Sequence, residues 1–570
     1  MNNPSMMSAQ HVGHAAYSDP NFNLPKRPRI IGSLEIIPNE DSLLFHGAES
    51  LQVLKGSAVS QFLPALLPFL NGSYSVEDIL NEFDQYSPRD VINILSLLLM
   101  RGLLDDAEGD TGVDLSCFDS EILQFFQRST DSTRVNRSAA EGLNRLRNAD
   151  ILLLTDSEYG SILQDELFFM GATQVRLEQL SYDWKIDQAT NVIVFCSKPL
   201  DHTCLLDLDQ KCSEQQIPWI LTQVRKSCGV LGPYFEKNET ASYQDYKKTV
   251  QHDQSAGVPS REHIEMWEYY SAVEIAYFIT RLAPSATGSE YVTFKFDDWS
   301  CISKKVYSSS ENCTINDCQG ELHPALKFDQ SIAFPSKHLI NPKSHQVHYS
   351  PKNLFLTNES KSYPSSELTA LPQKDCLPKP KGSFLNNNIE RICLKELNIQ
   401  AITQLLLMSG GLRESSEHPG KVQRWAPSGG NLGSCQIYIL ALSVKGLTPN
   451  CYFYQYPDNS LVKIGPDMTE KDIKQQITHI TGLPEELLPK ALVIFTGAYE
   501  RVASKYNGFA YKVIHLDAGA ALSQMKAVSN GLGLNIKVFD RWDEQRLIDY
   551  LGTDTKKEPV TMLAGIDNGW

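Results

Sequence analysis

At 570 residues, 42% of them hydrophobic and 21% charged, the chain has the balance of a folded polypeptide with several cores rather than one. A net charge of -16 argues against a general nucleic-acid or membrane-surface binder, and no apolar run reaches the ~18 residues that a membrane span needs. The start, Met1-Asn-Asn-Pro, lacks the basic-then-apolar layout of a secretion signal. A cytoplasmic protein is expected, in which the twelve cysteines, mostly inside apolar runs, are buried small hydrophobes.

Residues 1–28 are polar and without period, and read as a flexible tail. From residue 29 to 110, three short extended runs, 33–37, 42–45 and 51–54, predict a small antiparallel sheet. Helices follow, with Ser75 and Asp78 placed as an N-cap pair, Ser87-Pro88 opening a second helix, and Gly102 ending it. Strands followed by helices in this order form a winged-helix pattern. Residues 75–105 hold six acids against two arginines, a net charge of -4, which disfavours DNA. Residues 111–148 predict a helical connector.

From 149 the runs Ala149–Leu154, Ile162–Phe169 and Thr173–Leu177 predict a βαβ unit, and 191–195 and 219–221 continue an open parallel sheet. A nucleotide site would need a glycine-rich turn after the first strand. Thr155 to Gly160 supplies one glycine and two carboxylates, so no ATP site is expected. The aromatic run in 264–282 predicts a packed helix, a core or dimer seam rather than a cofactor box. Cys313 and Cys318 stand near Cys301 without a second pair, and no metal is expected. Seven prolines across 335–382 predict a linker or extended arm.

After the arm, 397–408 reads as a helix, and Ser428-Gly429-Gly430-Asn431 as a glycine-dependent turn before an apolar strand. Such a turn lets backbone N–H groups and short side chains converge on a flat polar ligand. Taken in order, Arg424 to Ile439, Gly446 to Tyr454, Arg501 to Tyr511, Leu516-Asp-Ala-Gly519 and Asn530-Gly-Leu-Gly533 resemble the SagB-type FMN-dependent dehydrogenases of thiazole/oxazole-modified peptide biosynthesis, in the nitroreductase superfamily. The resemblance spans roughly residues 335–570. It implies a nitroreductase-like α+β flavin domain over 383–570, FMN as cofactor, and a homodimer.

It also implies that Lys505 and Tyr506 are catalytic, supplying base and positioning. A desolvated lysine would be neutral near pH 7, and a tyrosine beside a cation would ionise more readily than in water. Ser428, Gly429, Gly430 and Asn431 are the expected flavin contacts, with Gly531 and Gly533 a second face. Where the family carries Arg-Arg-Ser for the flavin phosphate, this sequence has Asn386-Asn-Asn388, leaving Arg391, Arg424 or a backbone nest. Gln436 stands where relatives carry Glu, with its role open.

Two further resemblances complete the expected architecture. Residues 29–110 resemble the peptide-recognition element of machinery for ribosomally made, modified peptides, which captures a leader peptide as an added strand. A small structural wing is the alternative. Residues 149–334, through 217–221, 229–235 and 240–246, resemble the ThiF/E1-like domain of azoline-forming cyclodehydratases. Ser242 and Asp245 stand there in place of a Cys pair, which implies a degenerate docking domain without metal.

The expected whole is a multidomain α/β and α+β protein: winged helix, degenerate Rossmann-like E1 domain and flavin domain. It would oxidise thiazolines or oxazolines in a precursor peptide, with a cyclodehydratase as partner. The alternatives are a non-catalytic scaffold bridging peptide and cyclodehydratase, or an NAD(P)H-dependent flavin reductase.

Overall fold

The computed structural model describes residues 9–10, 12–13, 22–32, 34–48, 51–133, 135–155, 159–180, 184–187, 190–197, 202–250, 258–283, 287–288, 290–308, 323–333, 351–379, 390–413 and 422–568. Cys313, Cys318, Asn386–Asn388 and most of the expected tail lie outside them. The fold is mixed α/β with several sheets, and the chain divides into two compact units, one ending near residue 350 and the other running from 351. Among the described residues no helix is long and apolar enough to cross a membrane.

The first unit begins with strand β1 (Pro28–Ile30), then β2 (Glu35–Asn39), β3 (Ser42–His46) and β4 (Gln52–Lys55), the last three forming an antiparallel sheet in that order. Two expected helix starts are present. Ser75 and Asp78 form a reciprocal capping box on the helix Val76–Glu82, and Ser87 caps Pro88–Met100 with Pro88 in the first turn. Strand β5 (Leu104–Asp106) returns antiparallel to β1, where Arg29 grips its register partner Asp105 with two hydrogen bonds of 2.9 Å.

A seven-stranded sheet follows. Its strands are β6 (Asp150–Thr155), β7 (Gln174–Gln179), β8 (Val192–Ser197), β9 (Trp219–Val224), β10 (Cys228–Phe235), β11 (Glu290–Lys295) and β12 (Cys301–Lys305), in spatial order β12-β11-β10-β9-β8-β6-β7. Pairings among β7, β6, β8 and β9 are parallel, and those from β9 through β12 antiparallel. The four strands expected from the sequence pair in parallel as expected, and β10, β11 and β12, which were not expected, extend them into a mixed sheet. The run 228–235 is a strand reached by a short connection from β9, which permits only an antiparallel return.

Helix Arg261–Thr280 covers one face of this sheet, burying Trp267, whose indole N–H donates to Thr222 Oγ1 at 2.9 Å. Ser242 and Asp245 form a capping box on helix Tyr243–Thr249. A helix start, rather than a ligand pair, is what these two residues build.

The second unit carries a wholly antiparallel sheet of β13 (Leu368–Ala370), β14 (Cys435–Ala441), β15 (Asn450–Gln455), β16 (Ser460–Ile464), β17 (Ala491–Gly497), β18 (Asn535–Val538) and β19 (Val560–Asp567), ordered β13-β16-β15-β14-β17-β19-β18. Strand β14 shows how it is buried. Ile437 and Ile439 pack under the helices Ile399–Gly410 and Ala510–Leu532, while Tyr438 and Leu440 face the helices Glu470–Thr481 and Glu544–Leu551.

Of the linker or arm expected over 335–382, residues 335–350 and 380–382 lie outside the described residues, and the expectation is corrected only over 351–379. From Pro351 the chain carries regular structure and belongs to the second unit: a helix Pro351–Asn358, then β13 on the sheet edge. Proline restricts helix interiors but suits a first helical turn and an edge strand's flanks, which is where Pro351 and Pro372 stand.

Candidate active site

The turn at 428–434 is fixed in part by its own polar groups and in part by bonds to neighbouring segments. Asn431 N–H donates to the Ser428 carbonyl at 3.0 Å and Leu432 N–H to the Gly429 carbonyl at 3.2 Å. Gly433 N–H reaches Ser428 Oγ at 2.9 Å, and Asn431 Nδ2 reaches the Val422 carbonyl at 2.7 Å. Gly430, Asn431 and Gly433 all have positive φ, a backbone that glycine and asparagine tolerate best.

Beneath the turn lies Asp517, a buried carboxylate on the helix Ala510–Leu532. One oxygen accepts from Gly429 N–H at 2.9 Å and the other from the Ser434 hydroxyl at 2.5 Å. Burial pushes the Asp517 carboxyl above its usual range, while these two bonds and the charge of Arg424 pull against that. Asp517 lies within the motif Leu516-Asp-Ala-Gly519, whose sequence assigns it no role. An aspartate amid Val513, Ile514, Ala518 and Ala521 is a signal in itself, because a buried carboxylate demands donors.

Lys505 and Tyr506 come from the helix Tyr499–Tyr506, which follows β17 directly. The structure brings them to the turn: a Cβ on Gly430 would lie 2.7 Å from Tyr506 Oη and 2.9 Å from Lys505 Nζ. Only a glycine leaves room for both. Burial lowers the Lys505 ammonium to about 8. Burial and, secondarily, the charge of Asp517 raise Tyr506, which overturns the expectation that it ionises more easily than in water.

Arg424 lies against Gly433, with Nε at 3.4 Å from the Asn431 carbonyl and a terminal nitrogen at 2.9 Å from the Thr357 carbonyl. Its guanidinium also rests 5.0 Å from the Tyr456 ring centroid. It is therefore partly committed to backbone carbonyls rather than standing clear for a phosphate.

The remaining expected residues lie elsewhere. Gly533 is the left-handed C-cap of helix Ala510–Leu532, and the Gly531 carbonyl accepts from Ile392 N–H at 2.8 Å, next to exposed Arg391. Fourteen residues of helix separate Gly531 from Asp517, about 21 Å at ~1.5 Å per residue. Gly531, Gly533 and Arg391 thus form a second cluster at the far end of that helix. Gln436 sits opposite Thr496 on β17, with its Oε1 buried and unpartnered among the described residues.

Ser409, Gly410, Arg424, Ser428, Gly433 and Asp517 border a cleft of about 20 Å³. That is room for about one water molecule, far below the ~300–1,000 Å³ of small-molecule pockets. As a test of fit to a flavin, the turn offers a cradle beside Gly430 that a methyl group would fill, and the neighbouring Trp425 indole N–H is a buried donor without a partner among the described residues. These features fit the polar edge of a flat ligand.

No protein-family model matches the chain, and no curated protein matches it. Among solved structures it is similar to a heterocyclase in complex with substrate and cofactor, with 16% identity, TM-score 0.37, and coverage of 54% of this chain and 41% of that one. It is also similar to a nitroreductase-type protein of Anabaena variabilis, with 24% identity, TM-score 0.26, and coverage of 29% of this chain and 34% of that one. A third is the microcin C7 biosynthetic enzyme MccB in complex with N-formylated MccA, with 12% identity, TM-score 0.39, and coverage of 50% of this chain and 99% of that one. The chain thus spans well under half the length of the first two. All three TM-scores lie below 0.5, so the chemistry of this site is taken from its residues alone.

Proposed function

We propose that the second unit is an FMN-dependent dehydrogenase that oxidises thiazoline or oxazoline rings of a ribosomally made precursor peptide to thiazoles or oxazoles. The observation that carries this reading is the meeting of two segments about seventy residues apart, with Gly430 against Lys505 Nζ and Tyr506 Oη. Ser428, Gly429, Gly430 and Asn431, with Arg424 behind them, would hold the cofactor. When bound, FMN supplies a hydride acceptor.

Lys505 supplies the base. The carbon to be deprotonated lies between a C=N bond and a carbonyl, which acidifies it, and an amine at about 8 is neutral in roughly one molecule in ten at pH 7. Tyr506, kept protonated by burial, donates a hydrogen bond and orients the ring. Arg391, Gly531 and Gly533 serve the far end of the helix or a second copy of the site across a homodimer. The first unit supplies recruitment, its small antiparallel sheet reading as a winged-helix element for the leader peptide and its mixed sheet as a docking domain for a cyclodehydratase, all in the cytoplasm.

A non-catalytic scaffold is the second reading, favoured by the turn's internally satisfied amides and by Arg424's carbonyl partners. An absorbance spectrum of the purified chain with and without added FMN separates the two. Bound flavin followed by oxidation of an azoline peptide supports the dehydrogenase, and a protein that takes up no flavin supports the scaffold. Bleaching by NADPH would instead indicate a flavin reductase.

A further inference from the structure

The helix Pro351–Asn358 and the residues after it form a strap whose fastening is shared with the turn. Leu356 is buried in one cluster with Leu432 from the turn, Val502 from the Lys505 helix, and Ala510, Val513 and Ile514 from the start of the long helix. Arg501, itself only 8% exposed, donates one terminal nitrogen to the strap at the Glu359 carbonyl and the other to the turn at the Gly433 carbonyl, 2.7 Å away. Arg424 repeats the pattern one step along, joining the Thr357 carbonyl to the Asn431 carbonyl. Tyr456 Oη donates to the same Glu359 carbonyl at 3.0 Å.

Farther along the strap, Lys361 Nζ lies 2.6 Å from both Tyr438 Oη and Glu558, and Tyr363 Oη is 3.2 Å from Tyr438 Oη. This second anchor holds the strap's end against the opposite face of the sheet. Among the described residues neither Arg424 nor Arg501 has a salt bridge to a carboxylate. Two buried or half-buried cations held, among the described residues, by carbonyls and by the Tyr456 side chain rather than by ion pairs are an expensive way to stabilise a fold. They make sense where the orientation of particular peptide planes matters.

We propose that Arg501 is a positioning residue of the site: its guanidinium fork, seconded by Arg424, ties the strap at 357–359 to the 428–434 turn and so holds Gly430 against Lys505 and Tyr506. The inference rests on the proposed dehydrogenase reading for its purpose, but not for its geometry. A lysine in its place keeps a charge yet lacks the planar fork needed to reach two carbonyls on different segments in fixed directions. Displacements of about 1 Å at such a point are enough to cost 10²-fold in turnover.

The test uses the full chain with Arg501→Lys, and Tyr456→Phe as a milder variant that removes one hydroxyl from the strap and leaves both arginines. The first readout needs no flavin: the titration of Lys505 followed by NMR of ¹³C-methylated lysines, assigned with Lys505→Met. Loosening the turn should admit water to Lys505 and move its midpoint from about 8 toward 10.5, by about one unit in Arg501→Lys and less in Tyr456→Phe. The second is FMN affinity by fluorescence quenching, expected to weaken about tenfold in Arg501→Lys while the melting midpoint falls by only a few degrees. An unmoved Lys505 midpoint in folded Arg501→Lys overturns the proposal. If that variant does not fold, an unmoved midpoint in Tyr456→Phe overturns it. If the unmutated protein takes up no FMN, the dehydrogenase reading falls, while the Lys505 titration still decides the clamp.

Discussion

Each unit places an internal carboxylate against a glycine-initiated backbone turn, and the two do opposite things with it. In the first unit, helix Ser161–Phe169 starts at Gly160 after strand β6, the position where a βαβ unit would present its N–H groups to an anion. Glu268, buried on the covering helix, accepts from Gly160 N–H at 2.9 Å and from Leu163 N–H at 3.0 Å. In the second unit, Asp517 takes Gly429 N–H from beneath the turn, and the other side of Gly430 remains against Lys505 and Tyr506. One carboxylate fills the site it adjoins; the other builds it.

The largest expected effects break the second half of that comparison. Lys505→Met and Tyr506→Phe should leave FMN bound and reduce azoline turnover by roughly 10²–10⁴-fold. Turnover of the unmutated enzyme should rise with pH through about 8 as Lys505 loses its proton, and the residual rate of Lys505→Met should lack that step. Stability carries the same signature. Because the folded midpoint lies below the unfolded 10.5, the unfolded chain binds more protons between about 8 and 10.5, so stability should rise with pH across that window. Urea midpoints of the two proteins, measured from pH 7 to 10.5, should converge as pH rises.

Glycine-to-alanine changes sharpen the comparison directly. Gly430→Ala forces a methyl group within 3 Å of both Lys505 Nζ and Tyr506 Oη at φ +60, and should lower turnover about 100-fold and weaken FMN binding. Gly160→Ala meets Leu177 at 2.9 Å with φ +103, so it should destabilise the first unit by about 1–3 kcal/mol and leave flavin affinity unchanged. Flavin titration and a melting curve on each variant distinguish them. Equal loss of flavin in both would mean that Gly430 acts only through folding.

Glu268→Ala tests the filled seat. Removing the carboxylate leaves two buried N–H groups unsatisfied, which should cost about 1–3 kcal/mol. Sulfate or inorganic phosphate should then raise the melting midpoint of the variant more than that of the parent, because the vacated helix start is an anion seat. Identical salt responses would mean that the carboxylate has no anion-mimicking role.

Much of this was legible in the sequence where the signal is local. Ser75–Asp78 and Ser87–Pro88 encode their helix starts within four residues, and the apolar runs of β6, β8 and β14 encode burial on both sheet faces. The proline-based expectation of an arm misjudged residues 351–379 because helix, strand and clasp there depend on distant partners: Arg501, Arg424, Tyr438 and Glu558 lie 67 to 197 residues away in sequence from the strap residues they hold. Glu268 is the same kind of omission. Its role lies in a contact 105 and 108 residues back along the chain, and its own neighbourhood reads as one more amphipathic turn.

Ser242 supplies the smallest prediction and the cleanest contrast with a ligand site. Its Oγ accepts from Asp245 N–H at 3.3 Å and Asp245 accepts in return from Ser242 N–H at 3.1 Å and from its hydroxyl at 2.8 Å, so the pair satisfies the orphan donors of one helix. Ser242→Ala should cost about 1 kcal/mol, a shift of a few degrees in melting midpoint, with no change in either flavin affinity or turnover. If the pair instead retained a share in a metal site, EDTA would lower the midpoint of the parent and not of the variant. A capping box predicts that chelation leaves both curves where they were, since the Ser242 hydroxyl and the Asp245 carboxylate are turned onto each other and onto the first amides of their own helix.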